Sequence, residues 1–296
     1  MRNFVNVLAI SVFILSACSS DENEQVPSDE TNTANVSLTQ VWATGQTELI
    51  TPECATFHPD RNIFFVSNLN RDNDTDNDGY ISLVNADGTV KNARWVEGLG
   101  KPLGNDYHNG SLYVNDGGEI VQIDIESGSI SNRITVEGAI DLNGIDIDED
   151  GIIYAADSDG NKVFKVTPGG ETELLFAGEE LNIPNGVFIK QNELIIASSE
   201  GNSLLSLDLE TNELSTLVDG GLGHADGIIQ LDNDAYLISS WTGEVYFVDN
   251  DMQTQTILNT SASDINAADI AYIPQDNLLV VPTFYDNRLV AYRLNY

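Results

Sequence analysis

The chain has 296 residues, and 47 acidic side chains against 12 basic ones leave it a net charge of −35. A surface this acidic repels nucleic acid and anionic headgroups, and its Lys and Arg residues are scattered rather than gathered into a footprint. Two cysteines are too few for a disulfide framework, while the roughly 260 residues beyond the leader and the polar segment after it suffice for one large domain with a full core.

Met1-Arg2-Asn3 is followed by an apolar run over residues 4–15 and then by Ser16-Ala17-Cys18. A charged start, a short apolar run and small residues are the parts of a signal peptide. The run falls short of the roughly 20 residues that a membrane-spanning helix needs. Leu15-Ser16-Ala17-Cys18 resembles the bacterial lipoprotein box, which implies cleavage before Cys18 and lipidation of its thiol. An ordinary secretory signal with an incidental cysteine is the plainer alternative. Residues 1–17 are therefore expected to be a lipoprotein signal peptide, and residues 18–35 an acidic, disordered tether with almost nothing to bury. The expected location is the cell envelope, at the outer membrane, on its periplasmic or its exposed face. Ser19-Ser20-Asp21-Glu22-Asn23-Glu24 also resembles the acidic export tags of some surface lipoproteins, though a solvated spacer has the same composition. With Cys18 lipidated, Cys54 has no partner, and it reads as a small buried side chain.

From residue 36 onward short alternating strands follow one another, separated by Gly, Asn and Asp turns, with no sustained helical period. Residues 36–42 form a strand ahead of the first repeat. Repeats then start at Glu53, Leu103, Asn143, Asn185, Asp226 and Ala268, with steps of 50, 40, 42, 41 and 42 residues. Such a period predicts an all-β, six-bladed β-propeller over residues 36–296, one four-stranded blade per repeat. The third repeat is the plainest: strands over 140–147, 152–157, 162–166 and 173–176, with turns at Asp148-Glu149-Asp150-Gly151 and Asp159-Gly160-Asn161. The strand at 36–42 is expected to close the ring by joining the last blade, which removes exposed sheet edges. A sequential β-sandwich is the rival architecture.

Equivalent positions at the starts of innermost strands converge on a propeller's axis. Glu53, Asn143, Asn185 and Asp226 would meet there, and four oxygen donors of that kind suit a hard cation, calcium above all. Asn-Gly and Asp-Gly are also good turn formers. Against that plainer account, Glu53 precedes Cys54 rather than glycine, and Leu103 keeps Gly104 without offering an oxygen.

With Pro184-Asn185-Gly186 and Ala225-Asp226-Gly227 as its most telling motifs, the chain resembles the family of regucalcin (senescence marker protein) and gluconolactonase. Diisopropylfluorophosphatase and paraoxonase share that arrangement. The resemblance implies a catalytic calcium or other divalent ion held by Glu53, Asn185 and Asp226, with Asn143 binding it or lying beside it. It also implies a small-molecule substrate, hydrolysis of a lactone or related small ester, and Asp226 as ligand, base or nucleophile. His224, two residues before Asp226, is the proton-shuttle candidate, with an ordinary loop histidine as the plainer reading. Gluconolactonases usually have Arg where this chain has Asp141, whose charge should disfavour anionic sugars. A non-catalytic propeller of the NHL or strictosidine-synthase-like kind, binding a ligand or partner, is the rival, since a fold and a ring alone do not establish turnover. The protein is expected to be a monomer.

A second cation site is expected inside the first repeat. Asp74-Thr75-Asp76-Asn77-Asp78-Gly79-Tyr80-Ile81 matches the first eight positions of an EF-hand loop, with Asp74, Asp76, Asp78 and Tyr80 as ligands of a structural calcium. Position twelve is Asn85, which lacks the bidentate carboxylate. Trp42, Trp95 and Trp241 read as blade packing, with Trp241 alone also placed to line a mouth. His58 reads as structural. No phosphate-binding loop, nucleophile elbow or H-E-x-x-H pattern occurs.

Overall fold

The computed structural model describes residues 36–71 and 78–296. The signal peptide, Cys18, the tether, and Asp74 and Asp76 lie outside the described residues. Strand β1 (Ser37–Ala43) precedes the blades. Blade one is β2 (Pro52–His58), β3 (Ile63–Asn68), β4 (Gly79–Asn85) and β5 (Val90–Leu99); blade two is β6 (Pro102–His108), β7 (Ser111–Asp116), β8 (Glu119–Asp124) and β9 (Ile130–Thr135). Blade three is β10 (Leu142–Ile147), β11 (Ile153–Asp157), β12 (Lys162–Val166) and β13 (Thr172–Ala177). Blade four is β14 (Pro184–Lys190), β15 (Glu193–Ser198), β16 (Ser203–Asp208) and β17 (Leu214–Val218). Blade five is β18 (Ala225–Gln230), β19 (Tyr236–Ser240), β20 (Glu244–Val248) and β21 (Thr254–Asn259), and blade six contributes β22 (Ala271–Ile273), β23 (Leu278–Pro282) and β24 (Leu289–Asn295).

Every blade is a four-stranded antiparallel sheet in sequence order, except that β1 supplies the outer strand of the last. The ring is closed by pairing Ser37 with Asn295 and Ala43 with Val290, as the early strand predicts. This is a six-bladed propeller and not a sandwich.

Packing explains why the strands read as they do. Each blade lies face to face with two others, so its middle strand has no solvent side, and β3, β11, β19 and β23 are buried at every residue. Alternate residues of β3 serve different cores. Phe64 and Val66 meet Val280 and Ala291 of blade six, while Ile63 and Phe65 meet Leu112 and Val114 of blade two. Four further inter-blade clusters complete the circle. Each buried aliphatic or aromatic side chain contributes about 1.5–3 kcal/mol.

One boundary differs from the expected pattern. The innermost strand of blade six begins at Ala271 rather than Ala268. Ahead of it, Ala268 N donates to Pro282 O at 3.0 Å and Asp269 N to Glu53 O at 2.9 Å. These residues are bonded across to blade one and to their own second strand instead of running in a ladder, and Asp269 forms an isolated parallel bridge with Cys54.

Candidate axial cation site

The innermost strands carry a register irregularity at the ring positions. It falls between Pro52 and Cys54, Pro102 and Asn105, Leu142 and Ile145, Pro184 and Val187, and Ala225 and Ile228. A bulge takes a residue out of the ladder and re-aims its side chain. Here it frees Glu53, Leu103, Asn143, Asn185 and Asp226 from strand pairing.

The glycine that follows most of these residues answers a different need from turning. A Cβ on Gly144 would overlap Asn185 O and stand 2.6 Å from Gly186 Cα, and one on Gly104 would stand 3.1 Å from Gly144 Cα. Neither glycine has a left-handed φ. Each is small because the backbone of the following blade abuts it, which keeps the ring tight.

Glu53, Asn143, Asn185 and Asp226 line one cavity, as the spacing predicts. Glu53 and Asp226 are 4% and 1% exposed, and among the described residues Glu53 Oε2 and Asp226 Oδ1 have no hydrogen-bond partner. No hydrogen bond of the Asn143 or Asn185 side chain is found among the described residues. Burial, followed by the charges of Asp226 and Asp269, pushes the Glu53 carboxyl well above its ordinary range. Burial and Asp269 do the same to Asp226. Buried carboxylate oxygens without partners are costly and call for a proton or a cation. Among the described residues no three Asp, Glu, His or Cys side chains converge closely enough to hold an ion alone. Any ligand set there would have to add other oxygens, and the amide oxygens of Asn143 and Asn185, which line the same cavity, give a hard-oxygen mixture that fits calcium.

Backbone strain gathers here as well. Thr51 at φ +48° and Ile183 at +62° are β-branched residues in the left-handed region, each two positions before a ring residue. Such outliers cost on the order of 1–3 kcal/mol and persist where surrounding structure fixes them. Thr51 N is held by Asn287 Oδ1 at 2.8 Å and Ile183 N by Asn161 Oδ1 at 2.7 Å.

Of the remaining cavity wall, the sequence offered Leu103 as a ring position and Trp241 as a mouth residue, but not Leu69, Phe284, Arg71 or Lys101. Leu69, Leu103 and Phe284 form a small buried apolar cluster, with Trp241 packed against it and edge-on to Phe284 at 4.4 Å. Trp241 thus lines the mouth as well as packing. Arg71 and Lys101 also line the cavity. Lys101 is ion-paired with Asp141, so the negative charge expected to repel anionic substrates is matched. Lys101 occupies in blade two the place of Asp141 in blade three, a pairing the repeat alignment contains. Asp269, beside Ala268, is a further, half-buried acid that lines a separate cavity with Cys54, Asp106 and Asp146, and desolvation pushes it to about 6.

Other candidates lie elsewhere. His224 does not line the cavity: its Nδ1 faces Glu200 Oε1 at 3.2 Å and its side chain is 40% exposed. Cys54 is a buried, unpaired thiol, raised by burial. His58 is buried and stacked on Tyr107 with centroids 4.5 Å apart. In the EF-hand-like segment, Asp78 accepts from Asn70 Nδ2. From Gly79 on, however, that segment is strand β4, and Tyr80 faces Asn68 and Glu97 across two ladders rather than sitting in a loop. Its hydroxyl accepts from Ile50 N at 2.9 Å.

Fold and site together define a six-bladed propeller with a polar axial cavity. No family model matches the chain, and no curated protein sequence does. Among solved structures it is similar to a streptogramin B lyase, with TM-score 0.63 and 13% identity over 88% of this chain and 98% of that one. It is also similar to virginiamycin B lyase from Staphylococcus aureus: a catalytically inactive variant with quinupristin matches at TM-score 0.65 and 12% identity, over 88% of this chain and 100% of that one. Similarity at that level is one of fold.

Proposed function

We propose that the chain is a divalent-cation-dependent hydrolase of lactones or related small esters, with the ion held by Glu53, Asn143, Asn185 and Asp226. The observation that carries the reading is the pair of buried carboxylate oxygens, Glu53 Oε2 and Asp226 Oδ1, that have no hydrogen-bond partner among the described residues, in a cavity also lined by Asn143 and Asn185. The similarity of these residues to the ring of regucalcin and gluconolactonase supports it. A bound divalent ion supplies Lewis-acid polarisation of an ester carbonyl.

The chain's own groups do the rest. Glu53 and Asp226 offer carboxylate oxygens to take the proton that an attacking water gives up. The water oxygen bonds to the carbonyl carbon, the carbon–oxygen ester bond breaks, and the released alkoxide takes that proton back. Arg71, which also lines the cavity, offers positive charge to the carboxylate so produced. A cavity of about 240 Å³ suits a small molecule and not a large one.

The shared fold with lyases supports a second reading, elimination in place of water addition. Turnover of a lactone and small-ester panel with calcium in oxygen-18 water separates the two, because only hydrolysis puts solvent oxygen into the product acid. Label in the product, lost with Asp226→Asn, is the expected result. Turnover without label favours elimination, and no turnover leaves a ligand-binding propeller. The propeller is further proposed to be tethered to the envelope through a lipidated Cys18.

A further inference from the structure

The walls of the axial cavity are more specific than its floor. Leu69, Leu103 and Phe284 are each 3–4% exposed and join Trp241 in a continuous apolar surface on one side. A polyol placed there would press its hydroxyls against three side chains that cannot hydrogen-bond and an indole with a single N–H donor, and each lost hydrogen bond counts heavily in discrimination. Charge points the same way. A divalent ion offsets Glu53 and Asp226, and Asp141 offsets Lys101. Arg71 remains, lining the cavity at its exposed lip, with no ion pair among the described residues. Its planar fork of N–H donors matches a carboxylate. Leu103 reinforces the asymmetry, because it puts an apolar side chain at one of the six ring positions.

On the basis of the axial-cation reading, we propose that the cavity binds a small apolar carboxylate: one aromatic or branched aliphatic group bearing a single acid, its carboxylate on Arg71 and its apolar body against Leu69, Leu103, Trp241 and Phe284. The volume of about 240 Å³ admits one ring with a short acid arm. Such a molecule is also what hydrolysis of an apolar lactone or ester releases. Because the floor is acidic without its ion, anion binding and cation binding assist one another, and the assistance is reciprocal.

The test follows the Trp241 indole N–H resonance in the purified full chain during titrations with phenylacetate, phenylacetamide and gluconate, with calcium or with chelator. Phenylacetate is expected to bind at least tenfold more tightly than phenylacetamide or gluconate, and at least tenfold more weakly once calcium is removed. Arg71→Gln, at an exposed site, should abolish the preference for acid over amide while calcium affinity stays within twofold of wild type. Equal binding of acid and amide, equal or better binding of gluconate, or an undiminished preference in Arg71→Gln overturns the proposal. A calcium titration of the same samples and of Asp226→Asn tells the failures apart. A calcium step that Asp226→Asn removes, together with any of those results, overturns the carboxylate proposal alone, whereas a calcium profile without such a step overturns the axial reading and the proposal with it.

Discussion

Replacing Gly144 with Ala tests why glycine follows the ring residues. The added Cβ would stand 2.6 Å from Gly186 Cα, where ordinary contact needs 3.4 Å, and it would also overlap Asn185 O. Both obstacles are backbone atoms of blade four, so no side chain can rotate away. The blades must part by most of an ångström against inter-blade cores that are fully buried. Overpacking of that kind costs about 1–3 kcal/mol. With an unfolding entropy near 2.1 cal/mol/K per residue over roughly 260 residues, the melting temperature should fall by about 2–5 °C. Thermal unfolding followed by circular dichroism measures it, with Gly45→Ala as control because nothing lies within 4 Å of that Cβ. Calcium affinity should fall as well, since Asn185 belongs to the proposed ligand set. If Gly144→Ala melts within a degree of wild type while Gly45→Ala does too, the close-approach account is refuted.

Three other outcomes are expected. Asp106 and Asp146 meet on the channel wall away from the ring, where Asp106 Oδ2 accepts from Ile147 N at 3.2 Å and Asp146 Oδ2 from Ile189 N at 2.6 Å, tying blades two, three and four together. Burial lifts Asp146 to about 7, and burial together with Asp146 lifts Asp106 well above its ordinary range. The native state therefore holds protons that the unfolded chain has released, and this contribution to stability is lost as pH rises from about 4 to 7. Urea unfolding at several pH values should show a shallower decline in Asp106→Asn than in wild type; identical slopes would contradict proton uptake by Asp106 on folding. His224→Gln should leave calcium affinity unchanged by calorimetry, since the imidazole faces Glu200; a tenfold loss would return it to the site. Cys18→Ser should shift the protein from the membrane to the soluble fraction, and unchanged fractionation would contradict the lipid tether.

Much of this architecture is written in the repeat. The 40- to 42-residue steps after the long first one fix the blade count and the register of the ring, because each innermost strand must present the same position to the axis. Glu53, Asn143, Asn185 and Asp226 were legible for that reason. Lys101, Asp141 and His224 all stand two residues before a ring position, so the Lys101–Asp141 pair between adjacent blades was within reach of the same alignment. Asp106 and Asp146, three residues after it, were too. Arg71 and Phe284 were not: they stand in connections outside the repeat register, where nothing local says which loop folds over the axis. Blade six hid Asp269 because its innermost strand starts late, and its preceding backbone bonds to blade one instead. The glycines misled in another way. As Asn-Gly and Asp-Gly they look like turns, and only the neighbouring blade's backbone shows them to be clearances.

The axial ion is tested most directly by calorimetric titration of calcium into the chain from Asn35 onward, beside Asp226→Asn and Glu53→Gln. Wild type should show a binding step that each variant weakens at least tenfold, whether or not a separate step from the Asp74–Asp78 segment persists in all three. A calcium profile identical in wild type and both variants would contradict the account.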